Sequence, residues 1–143
     1  MSARELIVQD IIAVLENAED PRFGLVTRRP FDPAQLSRQQ FPAVYVSTAN
    51  EVRSDITQNG IGGLRESTLE VQLTAWVNGF DIDSQRNDVI ERIEEVLDAD
   101  RTRNGMARST QVTDINVDFD VVEPFGLVIV VVTVQYVYQR GIA

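Results

Sequence analysis

Asp114-Ile-Asn116-Val-Asp118-Phe-Asp120 places oxygen-bearing side chains at alternate positions. A calcium-binding loop of the helix–loop–helix kind opens in the same way. Such a loop also needs a glycine at its sixth position for the sharp turn, and an acidic twelfth residue to close the coordination sphere. Here those positions hold Phe119 and Phe125. The interposed residues Ile115, Val117, Phe119 and Val121 are apolar, and strict alternation is the period of a half-buried strand. The segment therefore reads as a strand with Asp114, Asn116, Asp118 and Asp120 outward. That carboxylate column suits the wall of a pore, or arginine contacts across an interface.

Other chemistry is scarce. Gly60-Ile61-Gly62-Gly63 precedes a strand rather than a helix and lacks a spaced third glycine, so it is no dinucleotide fingerprint. The chain has no His and no Cys, and its 13 basic residues are all Arg. This removes the commonest general base and metal ligand, the thiolate nucleophile, the phosphate-loop lysine and the Schiff-base lysine. Among 22 carboxylates some acidic pairs are inevitable, but no spacing marks an acid/base pair. We nominate no catalytic residue, cofactor or metal. Arg-only usage suits planar ion pairs between subunits, and a GC-rich genome produces the same bias. The net charge of −9 argues against non-specific duplex binding, though a negative wall would let DNA slide through a passage without sticking. Arg28-Arg29 reads as a solvated turn. Trp76 is either a contact residue or covered by a loop of its own chain.

The elements that must position these residues follow from periodicity. At 143 residues the chain is expected to form one domain. Ser2 and Glu5 make a capping box for a helix ending near Ala18, with Leu6, Ile7, Val8, Ile11, Ile12, Val14 and Leu15 as its apolar stripe. Residues 20–42, punctuated by prolines, are expected to be irregular apart from a turn of helix at Pro33–Arg38, with Phe23, Phe31, Leu36 and Phe41 holding them to the core. Ala43–Ala49 reads as a strand. The polar, Gly-rich stretch 50–66 reads as a long β-hairpin arm, with Asn59-Gly60 and Gly62-Gly63 as turn signals. Ser67–Val77 alternates strictly: Leu69, Val71, Leu73, Ala75 and Val77 inward, Trp76 on the other face. A second helix runs from Asp81 or Asp83 to about Ala99, followed by a polar loop and the strand Gln111–Glu123. Leu127–Tyr138 closes the chain as the most apolar strand, with Val128 to Tyr138 on one face and Leu127, Ile129 and Val131 on the other. It is too short for a membrane helix.

The order is α-β-β-α-β-β. The expected fold is α+β: a four-stranded, mostly antiparallel sheet with two helices on one face and a long hairpin arm. Its other face, part apolar and part carboxylate, is expected to meet another subunit.

The succession of an amphipathic helix, a Pro-rich segment, "FPAVYV", a polar hairpin, "STLEVQLTAWV", a second helix and "FGLVIVVVTVQYVYQRG" resembles the tail terminator proteins of long-tailed bacteriophages, the lambda-type group. The resemblance spans the chain and rests on element order and character rather than on a signature. It implies a structural virion protein with no enzymatic activity. Six copies would form a ring on the head-proximal end of the tail tube, stopping its growth and forming the joint to the head. The implied partners are the chain itself, the tail tube protein and a neck or head-completion protein. DNA would pass through without specific binding, and no membrane is involved. Assembly in the host cytoplasm and residence in the virion follow. A neck or head–tail completion protein of similar fold, and a small peptide- or protein-binding module using the hairpin edge, are the alternatives. The residues nominated for a subunit or tube interface are Arg53, Asp55, Ile56, Ile61, Leu64, Arg65, Trp76 and Arg140. Asp114, Asp118 and Asp120 are nominated to face the lumen.

Overall fold

The computed structural model describes residues 2–19, 22–55, 63–118 and 124–139. Helix α1 spans Ala3–Glu16. The Ser2 hydroxyl caps it by accepting from the Glu5 amide at 3.1 Å. Only this half of the expected capping box is seen, because the Glu5 carboxylate accepts instead from Arg28 and Gln9. Strand β1 (Leu25–Thr27) follows, then single turns of 3-10 helix at Pro33–Gln35 and Arg38–Gln40. Strands β2 (Ala43–Asp55) and β3 (Leu64–Asn78) precede helix α2 (Ile82–Asp98). Strands β4 (Ser109–Asp118) and β5 (Phe125–Gln139) complete the chain.

The sheet has five strands in the order β1-β2-β3-β5-β4. This corrects the expected four-stranded, mostly antiparallel sheet. The additional strand β1 runs parallel to β2, with Leu25 beside Ala43 and Thr27 beside Tyr45, so the sheet is mixed. Three residues are too few to show a period, and their partner lies beyond a proline-punctuated loop. The pairing depends on Gly24, whose amide donates to the Pro42 carbonyl at 3.0 Å. A Cβ at Gly24 would strike the backbone of Gln39 and Gln40. The region expected to be irregular is thus part of the sheet.

Elsewhere the alternation in sequence becomes the alternation of faces. Leu69, Val71, Leu73, Ala75 and Val77 of β3 are fully buried, as are Val128, Val130, Val132, Val134 and Tyr136 of β5. They share one core with Ile7, Val8, Ile11 and Leu15 of α1 and Val89, Ile93 and Leu97 of α2. Burying each such aliphatic side chain contributes about 1.5–3 kcal/mol relative to exposure. Both helices therefore lie against the same side of the sheet.

Candidate functional site

Among the described residues, neither α1 nor α2 lies on the opposite face. Register places Ala43, Trp76, Leu127 and Asp118 in one row across β2, β3, β5 and β4. The next rows run Tyr45, Thr74, Ile129, Asn116 and Ser47, Gln72, Val131, Asp114. The centre of this face is thus apolar and its β4 margin carries carboxylates. Leu127 and Val131 on this face are 7% and 9% exposed. Trp76 is half-buried among them. Asp114 accepts from the Ile115 amide at 3.0 Å and from Asn116 at 3.3 Å. Ile115 and Val117 sit opposite Val130 and Val128 on the helix side, which leaves Asp114, Asn116 and Asp118 on the open side.

At one end the sheet outruns its helical layer. Leu64 of β3 pairs with Gln139 and Arg65 with Tyr138, so the described arm has three strands rather than two. Register puts the nominated arm residues on two faces. Arg53, Asp55 and Arg65 lie on the helix side, where Arg65 Nε stands 2.9 Å from Asp55 Oδ1. Leu64 lies on the open side and is 45% exposed; Val52, on the same side, is 63% exposed. Ile56, Ile61, Asp120, Arg140 and the Asn59-Gly60 turn lie outside the described residues.

The arm's root holds a polar cluster that no sequence motif announces. Glu51 accepts from the Tyr136 hydroxyl at 2.5 Å and from Ser67 Oγ at 2.7 Å. Arg53 closes on the same carboxylate at 2.9 Å, and Arg4 of α1 approaches to 3.9 Å. Ser67 and Tyr136 are fully buried. The Arg53 guanidinium also lies 4.9 Å above the Tyr138 ring, a favourable cation–π placement. Burial would raise the Glu51 carboxyl, but the hydrogen bonds from Tyr136 and Ser67 and the charge of Arg53 outweigh it and hold it below the ordinary 4.5. Burial and the same bond push the Tyr136 phenol upward. The proton therefore stays on the tyrosine and the charge on the glutamate. No local signal marks it: alternation from Val44 and Val46 would put Glu51 and Arg53 on the open face, and only the irregularity between Thr48 and Glu51 turns them to the side of Ser67 and Tyr136.

A second cluster joins the helices. Arg103 is fully buried, with φ +49°. Its guanidinium donates to the Leu97 carbonyl at 2.6 Å and to the Asp100 carbonyl, and it stands 3.3 Å from Asp10 of α1. It thereby caps the C-terminus of α2 and ties it to α1. Burial depresses its pKa against the pull of Asp10, Asp100 and Asp98.

Charge is distributed unevenly across the plate. Arg22, Arg28, Arg29 and Arg38 are distributed along the β1 flank, and all are exposed. The solvent side of α2 carries Asp88, Glu91, Glu94, Glu95 and Asp98, relieved by Arg92. No group of three or more metal-ligating side chains occurs among the described residues. No described helix is long and apolar enough to cross a membrane.

The class defined by these features is a two-layer α/β plate with one helix-covered face, one open face and an extended arm. No protein-family model matches this sequence, and no curated protein matches it. Among solved structures, a chain described as "Virion of native gene transfer agent (GTA) particle" is similar at 11% identity, covering 96% of this chain and 92% of that one, with a TM-score of 0.46.

Proposed function

We propose that this chain is a structural virion subunit that assembles into a ring on the head-proximal end of a phage tail tube. There it stops tube growth and forms the joint to the head or neck. The observation that carries this reading is the open side of the arm, where Val52 and Leu64 are 63% and 45% exposed, on the same sheet face as the half-buried Trp76 and the β4 carboxylates. Exposed apolar side chains grouped in this way call for a covering partner. The tube or a neighbouring copy covers Trp76 and the exposed arm residues Val52 and Leu64. Arg53, Asp55 and Arg65 hold the arm for that contact, and Asp114 and Asp118 face the channel. The function is occupancy of a growing end, with no bond made or broken.

The test is tube length. Adding the purified chain to polymerising tail tube protein should halt elongation and leave a ring at one end of each tube in negative stain. Tubes that grow unchecked with bare ends would remove the reading. A ring that binds finished tubes only through a head-completion protein would move it to the neck. Beyond Tyr45 that side of β2 pairs with no strand among the described residues, which favours a second reading, a module that captures an extended peptide at that edge. In that case a monomer indifferent to tubes would bind peptide.

A further inference from the structure

The uneven charge of the plate carries an inference about how copies join. On the β1 flank, Arg22, Arg29 and Arg38 make no ion pair with any described residue. Arg28 is tied to Glu5 at 2.5 Å, which holds the turn after β1 in place. The segment Ser37–Gln40 packs on Gly24, and its Ser37, Gln39 and Gln40 share a hollow with Arg22. Arg22 precedes β1, Arg29 follows it and Arg38 opens the second 3-10 turn, so all three lie along the β1 edge of the sheet.

The opposite flank is the mirror in charge. Glu91, Glu94 and Asp98 are spaced by three and four residues, which stacks them along one stripe of α2. All are exposed, and none pairs with an arginine among the described residues. Glu94 and Asp98 line a hollow with Gln111 and Val112 of β4, beside Arg101. Stacked like charges at this spacing destabilise a helix by a few tenths of a kcal/mol per pair. The stripe thus keeps a cost that local pairing could have removed.

We propose that the partner on the α2–β4 flank is a second copy of this chain, which presents its Arg22, Arg29 and Arg38 to Glu91, Glu94 and Asp98. The inference rests on the ring reading above and specifies its subunit seam. Because β1 and β4 are opposite ends of the strand order, each copy gives one flank and receives the other. Such a contact is heterologous, and repeated around a closed circle it makes a ring. Guanidinium groups suit this role, since their planar forks match carboxylates bidentately. Asp114 and Asp118, on the open side of β4, stay outside the seam.

Charge reversal tests this. One variant carries Arg22→Glu, Arg29→Glu and Arg38→Glu; the other carries Glu91→Arg, Glu94→Arg and Asp98→Arg. All six side chains are exposed, and circular dichroism verifies folding. Particle mass is followed by light scattering over a concentration series. The wild type should associate, more weakly as salt rises from about 50 to 500 mM. Each variant alone should associate at least about tenfold more weakly, a loss of about 1.4 kcal/mol per seam. An equimolar mixture should restore the ring, because the reversed flanks complement each other in alternation. Rings that survive either reversal, or a mixture that stays dissociated, would overturn the seam while leaving the capping reading intact. A wild type that never self-associates would also overturn it. Failure to stop tube growth would remove the capping reading whatever the reversals do.

Discussion

Tyr136 and Glu51, 85 residues apart in sequence, meet at 2.5 Å where the arm leaves the core. The bond crosses over β3 and joins the two outer strands of the described arm, β2 and β5. Its energetics set the first prediction. Glu51→Ala would leave the buried Tyr136 and Ser67 hydroxyls without their acceptor. The expected loss is about 2–3 kcal/mol by urea unfolding, within the range for hydrogen bonds to a charged group. Tyr136→Phe should cost less, about 1–2 kcal/mol, because the carboxylate keeps Ser67 and Arg53. Equal losses in the two variants would show that the cluster does not depend on the carboxylate.

The same carboxylate makes a pH prediction. Its folded pKa lies below the ordinary 4.5, so the unfolded chain binds the proton more readily. The stabilisation is complete above the unfolded value and is lost as pH falls through the folded one. The stability gap between wild type and Glu51→Gln should therefore be constant from about pH 7 to 5 and close below about pH 4. A gap that widens on acidification would reverse the assigned sign.

Arg103 offers a test of the helical layer. Arg103→Met would leave the Leu97 and Asp100 carbonyls unsatisfied and Asp10 without its cation, an expected loss of about 3–5 kcal/mol. Arg103→Lys should recover only part of it, because one ammonium cannot reproduce the planar fork that reaches two carbonyls and a carboxylate. A double-mutant cycle with Asp10→Asn should show coupling of about 0.5–3 kcal/mol. Additive losses would place the Arg103 contribution entirely at the end of α2.

Gly24→Ala tests the strand that makes the sheet mixed. A methyl group there meets the backbone of Gln39 and Gln40, which has no side-chain freedom to yield. Destabilisation of about 1–3 kcal/mol is expected, with faster amide exchange at Leu25–Thr27 than at β3. Unchanged protection of β1 would mean that the loop accommodates the methyl.

Trp76 is the single tryptophan, so its fluorescence reports on the open face without labelling. Tube capping that covers this face should shift its emission to the blue. Trp76→Ala should weaken assembly by about 2 kcal/mol, as removal of a central aromatic anchor does. Capping with no spectral change would place the tube contact elsewhere.

How much of this was legible in the sequence depended on the range of the interactions involved. Local periodicity located both helices and the β2, β3, β4 and β5 segments, because burying one face leaves a repeat of two or of 3.6 residues. It also put Trp76 on the face opposite Leu73, and Asp114 and Asp118 opposite Ile115, since alternation alone decides the side. Strand β1 escaped notice: three residues carry no period, and parallel pairing across a proline-rich loop is a long-range choice. The contacts at Glu51 and Arg103 escaped for a different reason. Each joins polar side chains from distant segments, and nothing near Glu51 foretells Tyr136, just as nothing near Arg103 foretells Asp10. Arg53 and Arg65, legible as arm residues, were found on the helix side, each beside a carboxylate of its own chain. Composition and period decided which residues would be inside and which face would be open. Only the tertiary structure decided which charges met, because that depends on strand order and register, and both are set by the packing of the whole sheet.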